Sequence, residues 1–79
     1  MKLIGLSPEK TLLNEEVSAV ELPGAKGRFM VLKDHAAMLT PLVAGVVRYD
    51  VAGTENRQEM EIGGGFAEIS NDEICVCVG

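Results

Sequence analysis

The chain has 79 residues and a formal net charge of −5 at pH 7. Hydrophobic residues make up 47 % of the chain, and aromatic residues only 4 %. This length predicts one domain over residues 1–79. The acidic charge excludes nucleic acid as a partner and disfavours an anionic lipid surface, because the chain could not neutralise many phosphates. No apolar run approaches the ~20 residues that span a bilayer, and the apolar residues 3–6 are too few for a signal peptide. We therefore expect a cytosolic chain.

Period-two alternation of side chains recurs along the chain and predicts strands in order. Residues 1–6 form the first, and residues 17–22 form another whose apolar side chains are divided between its faces. Val47, Tyr49 and Val51 share one face of a later strand. Residues 59–62, 66–69 and 74–78 complete the series, and Cys75 and Cys77 on the second face of the last strand suggest burial on both sides.

Turn signals separate these runs at short intervals. They are Ser7-Pro8, Pro23-Gly24, Asp34, Pro41, Gly45, residues 52–56, residues 63–65 and residues 70–72. No segment carries a sustained apolar stripe at helical spacing, although one brief helical turn over residues 35–39 is allowed. We predict an all-β fold, a flattened two-sheet antiparallel β-sandwich or barrel of about ten short strands without C-terminal helices.

The triple glycine Gly63-Gly64-Gly65 has two interpretations. A phosphate-binding loop needs a helix after it and a lysine to reach the phosphates. Here the glycines precede a strand, over residues 66–69, which favours a tight bend or bulge where two backbone segments approach closely.

The residues with reactive side chains do not form a catalytic set. His35 is the only histidine, and its neighbours are Asp34 and Ala36, so a structural or interface role is favoured over general base catalysis. Cys75 and Cys77 would share a strand face at roughly 6–7 Å, too far apart for a disulfide, and are interpreted as reduced packing residues. We expect no cofactor. A small zinc protein using His35 with both cysteines is an alternative with too few ligands.

A small basic tip interrupts the acidic sequence. Lys26 and Arg28 flank Gly27 in a predicted loop, where they would attract an acidic partner. The alternative is that both are ordinary solubilising charges. An interaction module is therefore favoured over an enzyme.

The order of these motifs resembles the N-terminal β-sandwich domain of the epsilon subunit of F-type ATP synthases. The motifs are Leu3-Ile4-Gly5-Leu6-Ser7-Pro8-Glu9-Lys10, Glu16-Val17-Ser18-Ala19-Val20-Glu21-Leu22-Pro23-Gly24, Gly27-Arg28-Phe29-Met30-Val31-Leu32, His35-Ala36, Leu39-Thr40-Pro41-Leu42, Gly45-Val46-Val47-Arg48 and Gly64-Gly65-Phe66-Ala67-Glu68-Ile69. The chain departs from the family where Lys33-Asp34-His35-Ala36-Ala37 replaces the usual Pro-Gly-His-Ala-Pro corner, and where Arg28 replaces a frequent acidic residue.

The resemblance implies a non-catalytic central-stalk (rotor) subunit that links the gamma subunit to the c-ring and couples proton flow to ATP synthesis. It implies a peripheral location at the cytoplasmic face of a bacterial inner membrane, which the chain would contact only indirectly. The gamma-facing residues implied are Ser7, His35, Ala36, Ala37, Met38, Leu39 and Thr40, and the c-ring-facing loop is Lys26, Gly27 and Arg28. Because the sequence ends at Gly79, we expect the family's inhibitory helical hairpin to be absent. The alternative is a free-standing β-sandwich interaction or regulatory module.

Overall fold

The computed structural model describes all residues, 1–79, and contains eight strands and no helix. The strands are β1 (Lys2–Leu6), β2 (Thr11–Gly24), β3 (Gly27–Leu32), β4 (Met38–Leu42), β5 (Gly45–Val51), β6 (Arg57–Ile62), β7 (Gly65–Ser70) and β8 (Glu73–Val78). The prediction of an all-β fold is confirmed. The structure contains no helix that is long and apolar enough to cross a membrane.

The predicted count of about ten strands is too high. Two of the expected turns fall within strands, because Pro23 and Gly24 are the last residues of β2 and Pro41 lies inside β4. The possible helical turn over residues 35–39 is also absent. Instead, the His35 amide donates to the Leu32 carbonyl in a tight turn, and β4 begins at Met38.

The strands form two layers that share β2. All eight strands are hydrogen-bonded into one continuous sheet that folds into these two layers. The first layer, called the first sheet below, has the order β1-β8-β7-β4, and the second layer, called the second sheet, has the order β3-β2-β5-β6. Residues 11–16 of β2 pair with β1, whereas residues 17–24 pair with β5 and β3. β2 therefore passes from one layer to the other and closes the flattened barrel along one seam.

A β-bulge in β2 accompanies this crossing. Val17 pairs with Val51 and Ala19 with Asp50, so Ser18 is an extra residue without a partner on β5. A bulge bends a strand and allows it to turn a corner between packed sheets. It also places Val17, Val20 and Leu22 in the core together, which explains why the apolar residues of this segment looked divided between two faces in the sequence.

One pairing differs from the predicted antiparallel arrangement. β1 runs parallel to β8, with Leu3 beside Ile74 and Leu6 beside Cys77, while every other pairing is antiparallel. The β7–β8 hairpin turns β8 into the direction of β1, and the chain's first and last strands become neighbours. This pairing completes the first sheet.

The core between the layers is aliphatic apart from Tyr49. Its 13 buried hydrophobic residues are Leu3, Val17, Val20, Leu22, Val31, Leu42, Val47, Tyr49, Ile62, Ala67, Ile69, Ile74 and Val76. No polar or charged side chain is buried. As predicted from the alternation, Val47 and Tyr49 face inward while Arg48 and Asp50 face outward. Burial of the apolar side chains is the main favourable term for so small a domain.

Candidate docking surface

The outer side of the first sheet is largely apolar along two of its cross-strand rows, whereas a third row, of Ser70, Glu73 and Lys2, is polar. Cross-strand pairing places its outward side chains in one continuous layer, since Ile4 pairs with Cys75, Leu6 with Cys77, Cys77 with Phe66 and Phe66 with Pro41. We call this layer the apolar face. It consists of Ile4, Leu6, Leu39, Pro41, Phe66, Cys75 and Cys77, and the charged Glu68 lies among them.

Two large side chains of the apolar face are well exposed. Leu39 is 67 % exposed and Phe66 is 46 % exposed. Single exposed apolar side chains are common in soluble proteins, but a continuous patch built from several strands marks a surface that another molecule covers. The apolar face is therefore the strongest candidate for a docking surface.

The structure divides the gamma-facing residues implied by the resemblance. Ser7 follows β1 and lies in a turn, where its hydroxyl contacts the Lys10 carbonyl at 3.2 Å. His35, Ala36 and Ala37 lie in the loop before β4, and the His35 Nδ1 is 2.7 Å from the Ala36 carbonyl oxygen. Because Leu6 aligns through β8 and β7 with the end of β4, the turn at Ser7 and the loop at His35 lie at opposite ends of the first sheet.

The strand residues of that set face opposite ways. Leu39 pairs with Glu68 and points outward, whereas Met38 pairs with Ile69 and Thr40 with Ala67, whose side chains are buried in the core. Met38 is nevertheless 39 % exposed, because β4 lies at the rim of the sheet. Only Leu39 of the predicted set belongs to the apolar face.

A groove joins the two sites that the sequence suggested separately. It has a volume of about 490 Å³ and is lined by Gly24, Ala25, Lys26, Gly27, Arg28, Phe29, Met38, Leu39, Thr40 and Pro41. The basic loop and β4 therefore adjoin, since the β2–β3 turn lies beside the end of β4, where Gly24 pairs with Leu42. This contact could not be predicted from the sequence, because the basic loop and β4 are separated by about ten residues.

The two cations of the basic loop have different surroundings. The Arg28 guanidinium donates to the Glu21 carboxylate at 2.8 Å and to the Val46 carbonyl at 2.7 Å. Lys26 is exposed and forms no ion pair. Arg28 is therefore bound to its own domain, and Lys26 is the cation available to a partner.

Arg28 is part of an ion-pair network on the outer side of the second sheet. The Arg48 guanidinium contacts Glu21 at 2.9 Å and Glu59 at 2.8 Å. Hydrogen bonds from Arg28 and Arg48 hold the pKa of Glu21 below its ordinary value. We call this side of the second sheet the charged face. Glu59 is exposed there and paired with Arg48.

A separate ion pair lies on the same face. Arg57 donates to Asp50 at 2.8 Å, and this bond lowers the pKa of the Asp50 carboxyl. The carboxylates Glu21, Glu59 and Asp50 thus each have an arginine partner within the chain.

The two cysteines are free and their sulfur atoms are close together. The Cys75 and Cys77 Sγ atoms are 3.7 Å apart, nearer than the ~6–7 Å strand spacing because the two side chains lean toward each other. Burial, followed by the hydrogen bond with Cys77, raises the pKa of Cys75 to about 11. His35 does not join them, since no three His, Cys, Asp or Glu side chains form a cluster suited to a metal ion.

Several residues of the apolar face were not selected from the sequence. Ile4, Leu6 and Phe66 looked like ordinary strand residues, and the two cysteines like packing residues. The available signal was that residues 3–6 and 74–78 are apolar on both faces, which in this fold exceeds what one core can bury. The second side of β8 is only half-buried by the chain itself.

Comparison with known proteins identifies the family. The model of the ATP synthase delta/epsilon chain β-sandwich domain matches residues 1–79. The chain is 38 % identical over 73 residues to the ATP synthase epsilon chain of Nostoc sp., covering 92 % of this chain and 53 % of that one. It is 42 % identical over 67 residues to the epsilon chain of Chelativorans sp., covering 85 % and 49 %. The chain spans about half the length of these curated relatives.

Solved structures show the same fold. A chain in the cryo-EM structure of the Euglena gracilis mitochondrial ATP synthase, OSCP/F1/c-ring, matches with a TM-score of 0.86 and 24 % identity, covering 96 % of this chain and 48 % of that one. A chain in the central stalk/c-ring structure of the Tetrahymena thermophila mitochondrial ATP synthase matches with a TM-score of 0.78 and 17 % identity, covering 99 % and 62 %. The chain belongs to the ATP synthase delta/epsilon family, as a β-sandwich domain.

Proposed function

We propose that this chain is the β-sandwich part of a non-catalytic central-stalk subunit in a rotary, proton-translocating F-type ATP synthase, where it couples proton flow to ATP synthesis. Membership of the delta/epsilon family and the epsilon-chain names of its relatives support this proposal. The single observation that carries it is the uncovered apolar face on a domain of this family.

The apolar face and the adjoining groove together are proposed to dock on the gamma subunit. Leu39 belongs to the apolar face and also lines the groove, so one partner surface could cover both. Ser7 and the loop residues His35, Ala36 and Ala37 would then lie at two margins of the contact. Met38 and Thr40 would contribute from within the groove. Exposed apolar side chains at the centre of a contact usually carry most of the binding energy.

The loop Lys26-Gly27-Arg28 is proposed to face polar or acidic loops of the c-ring. Its support is charge, since Lys26 is an exposed cation without an ion pair on an acidic chain. Such a contact orients two surfaces more than it strengthens their binding. The chain would then be peripheral, at the cytoplasmic face of a bacterial inner membrane, and would reach the membrane only through the complex.

The test is a calorimetric titration of the cognate gamma subunit with the purified chain and two matched variants. Leu39→Glu places a charge on the apolar face, and we expect gamma affinity to fall by at least about 30-fold, the loss typical of a hot-spot side chain. Met30→Glu makes the same chemical change on the outer side of β3, where Met30 is 46 % exposed. It should leave the affinity unchanged.

Tight one-to-one binding that is lost only in Leu39→Glu would support both the rotor role and the docking surface. Absence of binding to a folded gamma subunit would contradict the proposed function. Equal losses in Leu39→Glu and Met30→Glu would contradict the assignment of the apolar face. Far-ultraviolet circular dichroism of each variant separates these results from misfolding, since both substituted side chains lie outside the core.

A further inference from the structure

The thiols of Cys75 and Cys77 form a pair on the outer side of β8. They are the only cysteines in the chain, both are free, and their Sγ atoms lie 3.7 Å apart. Both side chains are half-buried, so a small solute can reach them. Nothing in the proposed function requires sulfur at these positions.

The backbone opposes a disulfide between them but not a shared ion. Residues two apart in a strand have Cα atoms separated by roughly 6.5 Å and side chains projecting in the same direction, whereas a disulfide needs sulfur atoms about 2.05 Å apart and converging Cβ atoms. A metal ion bonded to two thiolates at about 2.3 Å each needs sulfur atoms up to about 4.6 Å apart. The observed 3.7 Å separation is within a small side-chain rotation of that arrangement.

The surroundings favour a soft ion that needs few ligands. Ile4 and Leu6 flank the pair on β1 and Phe66 flanks it on β7, so the adjoining surface is largely apolar. Glu68 pairs with Cys75 across the β7–β8 ladder, but no three suitable side chains form a metal-binding cluster. Structural zinc takes four ligands, while thiolate sulfur selects soft ions such as Cu(I).

We propose that Cys75 and Cys77 together bind one Cu(I) ion as a two-coordinate dithiolate on the apolar face. The step is Cu⁺ plus two protein thiols giving one Cu–dithiolate of charge −1 and two released protons. Two copper–sulfur bonds form, two sulfur–hydrogen bonds break, and the copper and sulfur keep their oxidation states. The proposal concerns the free chain and does not depend on the proposed function.

The test is anaerobic titration of the full chain with Cu(I) in the presence of a chromophoric Cu(I) chelator, followed by native mass spectrometry. We expect one Cu(I) per single chain and an ultraviolet thiolate-to-copper charge-transfer band. Cys75→Ser and Cys77→Ser should each weaken Cu(I) binding by at least about 100-fold. Loss of a residue that only supports a metal ligand can lower metal affinity by about 100-fold, and loss of the ligand itself should cost at least as much. Zn²⁺ should fail to compete.

A Glu68→Gln variant is the matched control, because it removes the nearest cross-strand carboxylate and leaves both thiols in place. It should bind Cu(I) at least as tightly as wild type, because the Glu68 carboxylate raises the pKa of Cys75 and its removal favours the thiolate. Retained binding in either serine variant, zinc binding as tight as copper binding, or copper found only between two chains would each overturn the proposal. Circular dichroism and a Cys75→Ala, Cys77→Ala double variant distinguish loss of the site from loss of the fold.

Discussion

The two outer faces of this sandwich cover the same core but differ in the interactions that their side chains make. One face carries ion pairs, and the other carries exposed apolar side chains. On the charged face, Glu21 and Arg48 form cross-strand ion pairs within the chain. On the apolar face, Leu39 and Phe66 project from the sheet with no counterpart in the chain. The ion pairs of the charged face are made within the chain, although Met30 and Leu32 are exposed on the outer side of β3 in the same sheet. The exposed side chains of the apolar face instead belong to a patch that spans several strands, which only another molecule can cover.

The difference cannot come from a need for stability. Exposed ion pairs contribute little to the free energy of unfolding, and exposed apolar side chains contribute none until they are buried. The apolar face instead increases the risk of unwanted association, and a domain retains such a patch when a partner uses it.

Substitutions at neighbouring residues of β8 should affect the free energy of unfolding differently, depending on whether the side chain faces the core or the outside. Ile74 is fully buried, and Ile74→Ala should lower the free energy of unfolding by about 3–4 kcal/mol through lost burial and a cavity. Because a domain of this size has a total stability on the order of 5–10 kcal/mol, the loss would be large. Chemical denaturation followed by circular dichroism measures it.

Cys75→Ser is the matched substitution on the outer side of the same strand. We expect its unfolding free energy to stay within about 1 kcal/mol of wild type, as for most substitutions outside a core. If Cys75→Ser destabilised the chain as much as Ile74→Ala, the apolar face would be part of the folded core rather than a docking surface.

Substitutions in the basic loop should have different effects, because Lys26 forms no ion pair whereas Arg28 is bound to the charged face. Lys26→Glu should weaken coupling of ATP hydrolysis to proton pumping in reconstituted membranes, while leaving the melting temperature of the chain unchanged. The coupling defect should shrink as salt shortens the Debye length from about 30 Å at 0.01 M to about 8 Å at 0.15 M. Arg28→Gln should instead lower the melting temperature, since it removes the bonds to Glu21 and Val46.

Coupling that is normal in Lys26→Glu at low salt would contradict the proposed c-ring contact. A stable Arg28→Gln variant with defective coupling would return Arg28 to the partner-facing set that the sequence suggested.

The regular parts of the fold could be predicted because they depend on local alternation. In β5, the spacing of Val47, Tyr49 and Val51 was enough to identify the inward face. The bulge at Ser18 could not be predicted, since a single extra residue in one strand is recognised only when its partner strand is known. Pro23 and Pro41 predict turns from local chemistry but lie in strands, because strand pairing outweighs the local preference there.

The candidate site was less predictable than the fold because its residues come from separate strands. Leu6, Leu39 and Phe66 become neighbours only through the β1–β8–β7–β4 register. The family resemblance led to Leu39, but it also grouped Ser7 with His35, which lie at opposite ends of that sheet. Sequence alone gives which side of a strand a residue occupies, and pairing decides which residues share a surface.

The smallest expected effect concerns acid stability on the charged face. Donation from Arg28 and Arg48 lowers the pKa of Glu21 from 4.5, so ionised Glu21 stabilises the folded chain. This contribution is fully present above pH 4.5, the ordinary value, and is lost as pH falls through the lower folded pKa. We therefore expect wild type to be slightly more stable than Glu21→Gln at neutral pH, with the difference disappearing in acid.

Glu61→Gln provides the control for that measurement. Glu61 is exposed on the same face, pairs with Val46 across the ladder and forms no ion pair. Urea unfolding of the three proteins between pH 2 and 7 should show the acid-dependent difference only for Glu21→Gln, and high salt should reduce it. A constant gap between wild type and Glu21→Gln at every pH would mean that glutamine disturbs packing, and that the ion pairs of the charged face contribute no measurable stability. The side chains of the charged face would then interact mainly with water, and the two sides of the molecule would differ only in the exposed apolar side chains of the apolar face.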